Sequence, residues 1–155
     1  MKTKLIDNDI LIPEIGKLIA QGHTVTMTVK GNSMRPFVEG VRDKALLVAC
    51  HKARVGDAVL AHVDDGRFVL HRIIKKEGTK LTLMGDGNLV GTETCDEGDV
   101  IARVEGFIRK GRNRIDRTDG IKWRIYSAMW PQHHFMRRIL LAVYRRFILK
   151  TVNTA

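Results

Sequence analysis

Apolar positions along the chain change their period near residue 22. Across residues 8–21, Ile10, Leu11, Ile15, Leu18 and Ile19 recur at helical spacing, with Asn8 or Asp9 placed to cap the start and Gly22 just past the end. Pro13 falls within the first turn or so, where its missing N–H is tolerated. From there the pattern alternates with period two, and residues 24–29, rich in β-branched side chains, predict a strand. Short apolar runs recur at 45–49, 58–63, 67–74, 80–84 and 100–107, separated by turn signals such as Val55-Gly56-Asp57, Glu77-Gly78 and Glu97-Gly98-Asp99. Asp65-Gly66 between two such runs is a hairpin signal. This spacing predicts a mainly β fold, a core of small coiled sheets behind an N-terminal helix, and leaves little room for a parallel α/β arrangement.

Beyond residue 110 the pattern changes again. Residues 110–119 are polar and contain glycine, which reads as a connector. Residues 121–130 and 135–149 are apolar and basic, and Pro131 between them predicts two helices rather than one. In the second, Phe135, Ile139, Val143 and Phe147 recur every four residues beside Met136, Leu140, Tyr144 and Ile148. The expected organisation is a β domain over residues 1–110 and a basic helical tail over residues 111–155.

Charge sharpens that division. The net charge is +10, yet every Asp and Glu lies at or before Asp119, so the first 120 residues hold 20 basic against 17 acidic side chains. The remaining seven Lys and Arg stand without a single acid. At 155 residues the chain can bury a substantial core. Cys50 and Cys95 lack metal-ligand spacing and cannot define a disulfide framework, which is simplest in a reducing, cytoplasmic setting. The N-terminal residues do not read as a signal peptide, since Asp7, Asn8, Asp9 and Glu14 interrupt the apolar ones, and no apolar stretch is long enough to span a bilayer as a helix.

Three places could carry chemistry. Ser33 lies in the turn Gly31-Asn32-Ser33-Met34-Arg35-Pro36 straight after a predicted strand. There, main-chain N–H groups can converge as an oxyanion site needs, although a turn serine that only bonds local backbone fits the same residues. His71 interrupts a strand-like run, with Leu70 and Arg72 expected on the opposite face. Its imidazole titrates near neutrality and suits a general base, or it is a half-buried structural histidine. Asp86, in Gly85-Asp86-Gly87-Asn88, could orient that imidazole, or simply belong to a turn. The pair His133-His134 has no partners at metal-ligand spacing and reads as an exposed loop.

Together, Gly31-Asn32-Ser33-Met34-Arg35-Pro36-Phe37, Arg54-Val55-Gly56-Asp57-Ala58-Val59, Leu70-His71-Arg72-Ile73 and Gly85-Asp86-Gly87-Asn88 resemble, in this order and spacing, the boxes of type I signal peptidases and of the self-cleaving LexA-like repressors. The resemblance covers roughly residues 24–108 and implies a LexA/signal-peptidase-like β fold in which Ser33 attacks the scissile carbonyl of a peptide lying along a strand edge. Many relatives use a lysine as base. Here His71 resembles the Ser/His branch of archaeal and endoplasmic-reticulum signal peptidases, with Arg72 as the family's arginine and Asn32 and Met34 beside the oxyanion site and substrate groove. Position 31 is glycine, which leaves the N–H of Ser33 as the main oxyanion donor. The Asp-Asp pair usual in that branch is replaced by Gly91-Thr92-Glu93, so Asp86 is the first choice of acid and Glu93 the second.

The expectation is therefore a serine endopeptidase cutting an extended segment, such as that of a precursor peptide, without cofactor or metal. No membrane anchor precedes Ser33, which argues against cleavage of exported preproteins, and no helix-turn-helix or Ala-Gly or Cys-Gly linker ahead of it suggests a self-cleaving repressor. The alternative is a non-catalytic peptide-binding relative, or a membrane- or nucleic-acid-associated adaptor acting through its basic tail. For the tail, residues 121–150 suit an amphipathic segment at an anionic bilayer surface or a helical pair packed on the core with snorkelling arginines. Nucleic-acid binding ranks last, for want of a recognisable motif.

Overall fold

Alternation of buried and exposed positions sets the strands, and in the computed structural model they form one antiparallel sheet. The structure describes residues 7–112, 114–130 and 134–152, with side chains in the last helix at 135–146. In chain order the elements are α1 (Asn8–Ala20), β1 (Val25–Thr28), β2 (Lys44–Val48), β3 (Ala58–His62), β4 (Phe68–Glu77), β5 (Lys80–Met84), β6 (Glu93–Asp96), β7 (Val100–Ile108), β8 (Ile115–Arg117), α2 (Ile121–Met129) and α3 (His134–Val152). The sheet runs β1-β2-β7-β3-β4-β5-β6, with β8 also on β7. The mainly β expectation, with helices at both ends, holds.

The long strand β7 is the spine: one side pairs with β2 over residues 103–108, while the other pairs first with β3, over residues 100–103, and then, over residues 106–108, with β8. Register shifts at Leu46/Leu47, Leu60/Ala61 and Ile73/Lys75 let the sheet curl into a half-barrel. Because it curls, β3 is buried on both faces. Ala58 and Leu60 join a cluster with Ile12, Ile15 and Ile19 of α1 and with Met34, Phe37 and Phe107. Val59 and Ala61 join a second cluster with Ile73, Leu81, Leu83 and Cys95. A strand buried on both sides reads as a continuous apolar run, as residues 58–61 do.

Two expectations need correcting. The cap of α1 is Asp7, whose side chain accepts from the Asp9 N–H at 3.3 Å, in place of Asn8 or Asp9. The polar stretch 110–119 contains β8, which polar residues can form because this short edge segment buries little. Strand β6 has no apolar run to announce it, since only Cys95 in it is buried. The expected boundary at residue 110 is bridged both by the β7–β8 pairing and by Trp123 of α2, which sits in the α1 cluster. Cys50 and Cys95 are free thiols. No helix among the described residues is long and apolar enough to cross a membrane.

Candidate active site

The serine turn is held from inside the protein. Met34, Phe37 and Val38 drop into the core, and the Val38 N–H donates to the Met34 carbonyl at 2.9 Å. Gly31 takes φ +75°, and Gly40 approaches so closely that an added Cβ would lie 1.8 Å from the Gly31 carbonyl oxygen. Below the loop, the fully buried carboxylate of Asp43 accepts from Arg42, Arg109 and the Glu39 N–H. Burial pushes this carboxyl upward, but the bonds from Arg42 and Glu39 and the two guanidinium charges outweigh it and hold it below the ordinary range.

A second turn, residues 85–88, is seated directly on the first. The Gly87 N–H donates to the Ser33 carbonyl at 2.7 Å. A Cβ at Gly87 would lie 2.6 Å from the Asn32 carbonyl oxygen, and one at Gly85 would lie 2.4 Å from the Ser33 carbonyl oxygen and 3.0 Å from His71 Nε2. The glycines thus read as turn residues are required by contact. They bring the imidazole edge against the serine turn.

His71 sits on β4 opposite Val59 of β3 and is 5% exposed. As alternation demands, Leu70 and Arg72 face the α1 cluster, while His71 turns the other way towards β6. Its Nδ1 meets Glu93 Oε2 at 3.0 Å, and the other Glu93 oxygen lies 3.6 Å from Arg67. Facing a carboxylate, which only accepts, Nδ1 carries the proton and Nε2 keeps its lone pair. Burial lowers the imidazole's affinity for a second proton, against the opposing pull of Glu93. The ring is therefore neutral at neutral pH. No hydrogen bond joins Nε2 to Ser33 Oγ among the described residues.

Asp86 makes no hydrogen bond to His71 and acts on it only through its charge. Both its oxygens are taken by Arg72, Nε to Oδ1 at 2.8 Å and Nη2 to Oδ2 at 2.7 Å, in a pair where both residues are at most 4% exposed. A carboxylate saturated by a bidentate guanidinium has no geometry left for the imidazole. The acid beside His71 is Glu93, the second choice from sequence. Arg72 also donates to the Gly56 carbonyl at 3.0 Å and to Ser127 Oγ, and lies 4.3 Å under the Trp123 ring.

Nothing in the local sequence singled out the tail residues that brace the second turn. Trp130 Nε1 donates to the Asp86 carbonyl at 3.1 Å, and Arg137 to the carbonyls of Gly85 and Asn88, each at 3.0 Å. Only their residue types, a tryptophan and an arginine able to reach carbonyls, hinted at it.

Ser33 and His71 open onto a cavity of about 670 Å³ between α1, β1 and β4, lined by Leu11, Ile15 and Leu18 on one side and Met27, Phe68 and Leu70 on others. Among the described residues strand β1 pairs only with β2, so its outer edge can take an extended peptide as a further strand. The main-chain N–H groups of Ser33 and Met34 donate to nothing among the described residues. Asn32 and Met34 do not line the cavity: Asn32 is exposed and its carbonyl accepts from Arg35 N–H, while the Met34 side chain is 1% exposed in the core. Met34 can serve the site only through its backbone. His133 lies outside the described residues, as does the His134 side chain, and no group of three His, Cys, Asp or Glu among the described residues could hold a metal ion.

Comparison with known families finds one match, to the family described as Peptidase S24-like, over residues 4–107. That span holds the serine turn, His71, Glu93 and the 85–88 turn, and ends before α2. No curated protein matches the chain.

Proposed function

The chain belongs to the Peptidase S24-like family, and on that premise we propose that it is a serine endopeptidase of the signal-peptidase-like Ser/His type, acting on an extended segment of a precursor polypeptide. The observation that carries the reading is a buried neutral imidazole with its lone pair at Nε2 against the serine turn and its Nδ1–H on Glu93. Ser33 Oγ attacks the scissile carbonyl as Nε2 takes its proton, and the Glu93 charge stabilises the imidazolium. The oxyanion falls to the N–H groups of Ser33 and Met34. Collapse breaks the C–N bond, His71 returns the proton to the leaving amine, and water then hydrolyses the Ser33 ester by the same base.

The cavity walls suit apolar side chains of a peptide paired to the β1 edge. One observation favours the alternative, a peptide binder without turnover: Ser33 Oγ and His71 are not hydrogen-bonded. Catalytic bonds often tighten only with substrate present. Labelling by a fluorophosphonate serine probe separates the two readings. The wild type labels, Ser33→Ala does not, and His71→Ala labels at least about a hundredfold more slowly; no labelling of the wild type supports the binder.

A further inference from the structure

We propose that α2 and α3 form a docking surface for anionic lipid, holding the protein at a membrane face by its outward helix sides. Each helix uses one side for the core: Trp123, Tyr126 and Trp130 around α2, and Arg137, Leu141 and Tyr144 on α3. The opposite sides carry apolar residues at helical spacing into solvent. On α2 these are Ile121, Ile125 and Met129, 75%, 53% and 76% exposed. On α3 they are Phe135, Ile139 and Val143, 71%, 43% and 49% exposed, with Met136 and Leu140 beside them. Neither core cluster explains these positions, and singly exposed apolar residues do not recur at this spacing on two successive helices by chance burial alone.

Charge selects the occupant. Arg124, Arg138, Arg145 and Arg146 are exposed on the same two helices, and no acid follows Asp119. Beside the start of α2, Lys110, Arg112 and Lys122 line a cleft of about 430 Å³. A second copy packing face to face would bring like charges together with no acid on these helices to neutralise them. A nucleic acid would satisfy the cations but leave the apolar stripe in water. An anionic bilayer satisfies both, with arginines at the phosphates and the stripe among the acyl chains.

The test is flotation of the full-length protein with vesicles of phosphatidylcholine alone or mixed with phosphatidylglycerol. Binding is expected only to the mixed vesicles and is expected to weaken with salt. Arg138→Gln with Arg145→Gln should lower partition at least about tenfold, since each basic residue near such a surface contributes appreciably. Ile139→Asn with Val143→Asn should lower it comparably while cleavage of a soluble peptide stays unchanged. Equal or absent binding to both vesicles overturns the proposal. So does a dimer in solution that the Ile139/Val143 variant dissolves, or duplex DNA binding that this variant leaves intact. Because the readout is lipid partition, its failure is distinguishable from failure of the peptidase assignment.

Discussion

Two consecutive residues, a histidine bonded to one acid and an arginine bonded to another, face opposite sides of the same strand. In the proposed mechanism His71 with Glu93 is the reactive pair, whereas Arg72 with Asp86 forms a buried strut. Their removal should therefore differ in kind. Asp86→Asn leaves a guanidinium buried without its charge partner, so unfolding free energy should fall by about 3–5 kcal/mol in denaturant titration. Glu93→Gln should leave stability nearly intact and lower kcat by roughly 10²-fold or more, because nothing then stabilises the imidazolium. The pH dependence follows from the lowered His71 value. Activity should rise as pH climbs through a midpoint below 6.5 and be level by neutrality, and in Glu93→Gln the midpoint should move further to acid. The sign is the same for stability: a depressed imidazole contributes stability above 6.5 that is lost as pH falls towards the folded value. At this scale residue type and spacing supplied the serine and histidine of the proposed site. They did not supply the acid, because a turn aspartate and a strand glutamate look equally able until Arg72 is seen to occupy one of them.

At the scale of elements, two turns and a strand make the proposed site. Gly85 and Gly87 let the 85–88 turn lie on the serine turn with no space for a side chain. Gly85→Ala should therefore destabilise by about 1–3 kcal/mol and lower kcat together, since the nearest atom is backbone and cannot swing aside. Gly98→Ala, with nothing within 4 Å of its added Cβ, should leave both unchanged in the same melts and assays. The strands with strong alternation or continuous apolar runs were legible, as were α1 and the separation of α2 from α3. Strands β6 and β8 were not, since each is short and mostly unburied and owes its pairing to a neighbouring strand rather than to its own pattern.

For the whole molecule, the tail is a brace as well as an outer surface. Trp123, 4% exposed, covers the Arg72–Asp86 pair and packs against Phe37 and Phe107, so Trp123→Ala should cost about 3–5 kcal/mol in stability. If the brace positions the 85–88 turn, kcat measured well below the melting temperature should fall too. The sequence by itself determined the β class, the end helices and the asymmetry of charge, and it supplied Ser33 and His71 as the candidates on which the proposal rests, because period, composition and motif order are properties of neighbouring residues. Only the tertiary structure decided which acid meets the imidazole, that the Met34 side chain lies in the core, and that the tail grips the 85–88 turn. Those depend on contacts between residues 22 to 105 positions apart, such as His71 with Glu93 and Glu39 with Tyr144, which no local pattern encodes.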